Sequence, residues 1–276
     1  MSETLKANLL LLLTALIWGC AFVAQRVGME HVGPFIFNGV RFALGAAALV
    51  PLVRASRRAA SPPPPGVARS TGGWAVVWPG LLLGTFLFAG ASLQQVGMVY
   101  TTAGKAGFIT GLYVVLVPLL GLFLRQRAGL GAWTGALLAA AGMYLLSVTE
   151  ALEMAFGDLL VFVGAFFWAG HVLTVDWLAR RVPPVRLARD QFVVCAVLSL
   201  VVGLSTETTT LEGLIGAAVP ILYGGLLSVG VAYTLQVVAQ RRAKPAHAAI
   251  ILSLEAVFAA LAGWAMLGET LSTRGM

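Results

Sequence analysis

The chain has 276 residues, of which 59% are hydrophobic and 11% charged, and its mean hydropathy is +0.91, too apolar for a water-soluble domain of this size. Two cysteines exclude a disulfide framework or a CxxC metal site. The formal charge of +7 does not call for a nucleic-acid partner, because the placement of Lys and Arg encodes orientation in a membrane.

A membrane span needs roughly 20 apolar residues. Nine segments qualify, centred near Ile17, Leu44, Phe86, Val115, Ala139, Trp168, Val197, Leu227 and Ala256. The first follows a single lysine, Lys6, has no cleavage-site pattern and reads as a retained helix. The second leads into Arg54–Gly73, where Pro62, Pro63, Pro64 and Pro65 predict a polyproline II loop. An acidic patch, Glu150, Glu153 and Asp158, separates spans five and six, and the run Thr206–Thr210 separates spans seven and eight. Both are expected to be short solvated loops. With a cytoplasmic N-terminus, fourteen of the eighteen Lys and Arg residues fall inside, Arg26, Lys105 and Arg274 fall outside, and Arg41 lies within span two. The positive-inside rule then predicts N-terminus in.

The chain is internally repetitive. Residues 9–53 align on 159–203 without a gap, pairing Trp18 with Trp168, Pro34 with Pro184 and Phe42 with Phe192. Spans three and eight pair Pro79 with Pro220 and Gln95 with Gln236, and spans four and nine pair Ala106 with Ala248 and Leu112 with Leu254. The shared order and near-constant spacing carry more weight than any one pair. A copy of five spans is odd-numbered, so the second enters the membrane upside down. The expected fold is an all-α integral membrane protein of two inverted five-helix repeats, residues 1–149 and 150–276. Ten transmembrane helices are expected, with nine present in this chain, because the second unit reaches Met276 where its fifth span would begin. Such architecture is typical of secondary transporters.

The opening segment Leu9 to Ala24, with Trp18-Gly19, then Pro34 and Arg41-Phe42, resembles the start of the drug/metabolite transporter superfamily. The stretch Leu252 to Leu271, with Glu255 and Gly268-Glu269, is similar to its closing signature, and Tyr100-Thr101-Thr102-Ala103 resembles its lead into span four. Ala256 stands where the family has proline, and Arg125-Gln126-Arg127 where it often has Gly-Glu. The resemblance implies a ten-helix EamA-type exporter of a bacterial inner membrane, with aromatic amino acids and methionine as cargo. The implied partners are that small-molecule substrate and the lipid bilayer, with no nucleic acid and no cofactor.

Glu255 lies near the middle of span nine, where a carboxylate is costly enough to read as functional; the alternative is a protonated acid bonded to a neighbouring helix. Its repeat mate is Tyr113. Trp18 and Trp168 form a second mid-depth pair, suited to stacking on an apolar or cationic group or to helix packing. His171 shares a helix face with Trp168 and can bind a carboxylate or a neighbouring helix. Phe108 and Tyr233 join the candidate substrate-binding residues because spans four and eight line the central cavity in the family the chain resembles. Arg41 reads as a structural residue snorkelling to the headgroups, and Lys105 as a rim residue. The three histidines do not cluster, so no metal site is expected.

No GxSxG, HExxH or P-loop suggests an enzyme. A channel would favour charged rings in an oligomer. A carrier of phosphorylated sugars or other anions would need more cations at mid-depth. The expected mechanism is alternating access around a midplane cavity, with Trp18, Trp168 and Tyr113 on the apolar part of an amino acid, Glu255 on its ammonium and His171 on its carboxylate.

Overall fold

The computed structural model describes residues 2–59, 73–126, 128–147 and 155–269. Its helices are α1 (Glu3–Gly28), α2 (Pro34–Ala59), α3 (Gly73–Gly97), α4 (Ala103–Gly111), α5 (Tyr113–Phe123), α6 (Leu130–Ser147), α7 (Phe156–Ala179) and α8 (Pro184–Thr206). They continue with α9 (Leu211–Gly216), α10 (Ala218–Leu222), a π-helical segment Tyr223–Tyr233, α11 (Thr234–Gln240), α12 (Pro245–Leu252) and α13 (Glu255–Leu267). No strand occurs among the described residues, as hydrocarbon requires of anything but a closed barrel.

Eight helical stretches are long and apolar enough to cross a bilayer. They are α1, α2, α3, the pair α4–α5, α7, α8, the run Ala218–Gln240 and the pair α12–α13. The remaining expected span is α6, whose described apolar stretch, Leu130–Gly142, is shorter. Helix α2 runs on through Arg54 and Arg58 to Ala59, so the helix ends later than the sequence suggests. The prolines from Pro62 to Pro65, and Glu150, Glu153, Arg69, Arg127 and Arg274, lie outside the described residues.

Two spans are broken at matching places. Leu112 separates α4 from α5, and Ser253-Leu254 separates α12 from α13. In each break a leucine N–H reaches back three residues, Leu112 to the Ile109 carbonyl and Leu254 to the Ile251 carbonyl, both at 3.2 Å. This tightened turn re-aims the helix without leaving its amides unpaired. Pro34, Pro184 and Pro245 open α2, α8 and α12, where a missing N–H is harmless.

At one end of the bundle Thr206 and Thr208–Thr210 are exposed, as expected of a solvated loop, but three carboxylates there are seated against the helices. Glu207 accepts from the Phe35 and Ile36 amides at the start of α2 (2.9 and 2.8 Å), and Glu269 accepts from the Ala103 and Gly104 amides at the start of α4 (2.9 and 3.0 Å). Asp158 is buried; it pairs with Lys105 at 2.6 Å and accepts from the Thr101 hydroxyl at 2.8 Å. Each carboxylate therefore ties the second half of the chain to the first, and Lys105 is an ion-pair partner rather than a free rim charge. A negative group at a helix N-terminus is favoured by the unpaired amides and the helix dipole. Lys6, Arg242, Lys244 and Arg180 gather at the opposite, basic end, where Glu3 pairs with both Lys6 and Arg242.

Small residues let the spans approach closely. Helix α1 lies against α13 at Gly19, where a Cβ would collide with the Phe258 Cβ and the backbone of Glu255 and Ala259. Outward-facing Leu138, Leu204, Val219 and Trp264 are exposed, as lipid contact requires. Gly19→Leu is expected to abolish the monodisperse peak of the detergent-solubilised protein in size-exclusion chromatography, because two backbones would have to separate; a normal peak would mean that α1 and α13 are not in contact.

Candidate functional site

The helix breaks, the π-helical segment and the buried faces of α1, α2, α3 and α7 converge on one small cavity. Its free volume is about 30 Å³, room for a water or two rather than a metabolite. Glu255 and Tyr113, the first residues of α13 and α5, line it, as do Trp18 and Gln25 from α1 and Arg41 from α2. Trp168 and His171 of α7 and Tyr233, the last residue of the π-helical segment, complete an aromatic wall.

Tyr233 is the centre of that wall. Its ring lies 4.4 Å from Trp18, 6.3 Å from Trp168 in a stacked arrangement and 6.0 Å from His171 edge-on. Helix α1 is held against the π-helical segment by three hydrogen bonds. Trp18 Nε1 donates to the Ser228 carbonyl (3.2 Å), Thr14 Oγ1 to the Ala232 carbonyl (3.2 Å) and the Tyr223 hydroxyl to the Ile17 carbonyl (2.9 Å). π-Helical turns often occur at functional sites.

The polar part of the cavity turns on Gln94. Its Oε1 accepts from Trp168 Nε1 at 3.0 Å and from the Thr110 hydroxyl at 3.3 Å, and its Nε2 donates to Gln25 Oε1 at 3.3 Å. One amide thus orients the Trp168 ring and joins α1, α3, α4 and α7. His171 Nε2 meets Gln191 Oε1 at 2.7 Å. The buried Tyr113 hydroxyl lies beside the Glu255 carboxylate but makes no hydrogen bond of good geometry. Glu255 is 4% exposed and has no cationic partner among the described residues. A second cavity of about 330 Å³ lies at the basic end between α5, α6, α7 and α12, with Asp176, Arg180, Lys244 and His247 in its wall.

The model of the EamA-like transporter family matches residues 5–148 and again residues 155–276. The chain belongs to the EamA-like transporter family. An uncharacterized transporter of Archaeoglobus fulgidus is 33% identical over 271 residues, covering 98% of this chain and 81% of its own. The uncharacterized transporter YoaV of Bacillus subtilis is 22% identical, covering 97% of this chain and 90% of its own. A solved crystal structure has the same fold, with a TM-score of 0.76 at 20% identity, across 98% of this chain and 91% of that one.

Within this EamA-like fold, six of the residues singled out from sequence, Trp18, Tyr113, Trp168, His171, Tyr233 and Glu255, line the cavity. Phe108 does not; it packs between two apolar clusters beside α4. Arg41 is the main correction. It does not snorkel but is 3% exposed and faces the cavity, because Asn38 and the rings of Phe37 and Phe42 hold it inward. Gln25, Gln94 and Gln236 were also missed. Glutamines within apolar spans were the available signal, since an amide in hydrocarbon needs partners. Gln94→Leu would strand the Trp168 N–H and the Thr110 hydroxyl, so it is expected to destabilise the protein by roughly 1–3 kcal/mol. Thermal unfolding in micelles measures this, and unchanged stability would remove Gln94 from its central role.

Proposed function

We propose that this EamA-like transporter exports neutral amphipathic metabolites, with aromatic amino acids and methionine as the favoured cargo, by alternating access around the cavity. The observation that carries this reading is a buried carboxylate, Glu255, sharing one cavity with the Trp18, Trp168 and Tyr233 rings. An ammonium group would neutralise the carboxylate, and the rings would enclose an apolar side chain or a thioether. His171, already bonded to Gln191, shapes the wall.

The two copies read from sequence, residues 1–149 and 150–276 in inverted orientation, support rocking of one half against the other. The twofold family match and the paired breaks at Leu112 and Leu254 favour that division. A cavity of about 30 Å³ must enlarge to take cargo, and the carboxylate contacts of Glu207, Glu269 and Asp158 at one end are those that would part on opening there. The gathering of Lys and Arg at the opposite end supports a cytoplasmic N-terminus in a bacterial inner membrane.

The rival cargo within this architecture is a phosphorylated sugar or another anion. Glu255 in the wall counts against it, since a dianion would lie beside a carboxylate. Efflux of radiolabelled phenylalanine, tryptophan, methionine, lysine and glucose 6-phosphate from proteoliposomes separates the readings. Saturable export of the first three is expected, falling at least about tenfold in Glu255→Gln and Trp168→Ala. Movement of sugar phosphate alone would overturn the cargo assignment, and Glu255→Gln with unchanged rate and affinity would remove the ammonium role.

A further inference from the structure

Arg41 is a cation inside the membrane with too few partners. Its Nε donates to Asn38 Oδ1 at 3.0 Å, and Asn38 is itself fixed by donating from Nδ2 to the Ala91 carbonyl at 3.2 Å. The guanidinium carbon lies 4.9 Å from the Phe42 ring centre and 5.6 Å from that of Phe37. Among the described residues no carboxylate lies within ion-pair distance of it, and the terminal nitrogens make no hydrogen bond to protein. A guanidinium carries five N–H donors, so Asn38 occupies one and the rest are left for something else.

Structural stabilisation alone does not account for this. The attraction of aromatic rings for a desolvated cation is smaller than the cost of burying an ion without a counter-charge. The fold nevertheless makes room for the side chain. Gly224 lies against its stem, and a Cβ there would come within 3.2 Å of the Arg41 Cδ. The guanidinium faces the same cavity as Glu255, and Tyr233 lies within electrostatic reach of both.

We propose that Arg41 is the seat for the carboxylate of the transported molecule, which makes the cavity a zwitterion site with Arg41 and Glu255 on the two charges and the Trp18, Trp168 and Tyr233 rings on the side chain. This rests on the amino-acid reading above. It moves the carboxylate away from His171, whose Nε2 is engaged by Gln191 and whose ring stands edge-on to Trp168 and Tyr233. Arg is suited to the task because its planar fork matches a carboxylate with two parallel hydrogen bonds. A bound zwitterion neutralises both wall charges at once, whereas an amine lacking the carboxylate leaves Arg41 unmatched.

The test is binding of radiolabelled phenylalanine to the purified full-length protein in detergent, competed by phenylalanine, by phenethylamine, which lacks the carboxylate, and by 3-phenylpropionate, which lacks the ammonium. In the unaltered protein phenethylamine is expected to compete at least about tenfold more weakly than phenylalanine. In Arg41→Met the two should compete alike, while Arg41→Lys should retain part of the preference. Arg41→Met keeping the full preference would overturn the assignment and leave the amino-acid reading standing. Should Arg41→Met fail to fold, the unaltered protein still decides: equal competition by phenylalanine and phenethylamine sinks the carboxylate seat. If labelled glucose 6-phosphate binds and labelled phenylalanine, tryptophan and methionine do not, the amino-acid reading falls, and the carboxylate assignment with it.

Discussion

Inside a bilayer no water completes the hydrogen bonding of a polar group, so each amide, hydroxyl and charge on the inward faces of these spans must be satisfied by another part of the chain. The helices satisfy their own backbones. Many of the side chains find partners on neighbouring helices, and the bond between Gln94 and Trp168 crosses from one half of the chain to the other. Gln94 links Gln25, Thr110 and Trp168; Gln191 meets His171; Gln240 donates to the Val172 carbonyl. Two groups left short of partners, the Tyr113 hydroxyl and the Arg41 guanidinium, face the central cavity, where a ligand can complete them.

The same constraint explains the irregular backbone. A broken span is tolerated only where protein takes up the freed groups or where the break borders a cavity. The breaks at Leu112 and Ser253-Leu254 do both, and they set Tyr113 and Glu255 at the first turn of a half-helix. Both residues thereby stand at the N-terminal end of a half-helix that opens on the cavity. The π-helical segment places Tyr233 among the aromatic rings and Gly224 beside Arg41.

The solvent and the span positions were readable from residue types alone, because hydropathy survives in a linear string. Glu255 was readable for the same reason, since one acid in a long apolar run stands out. The roles of the connectors were not. Glu207 and Asp158 read as loop residues by their neighbours in sequence, yet their carboxylates are seated against α2 and α4 in the other half of the chain. Phe108 shows the opposite failure: it shares a span with cavity residues but its ring packs into apolar clusters away from the cavity.

By itself the sequence determined that the protein is a helical membrane protein with candidate residues at mid-depth, because hydrophobic transfer depends on composition along the chain. Only the tertiary structure decided where each side chain points. An arginine two turns into a helix can reach the headgroups or turn inward, and the choice at Arg41 depends on Asn38, Phe37 and the glycine at position 224, the last of which lies far away in the chain. Long-range packing of this kind has no local signature in sequence, so the cationic side of the cavity appears only when the helices are assembled.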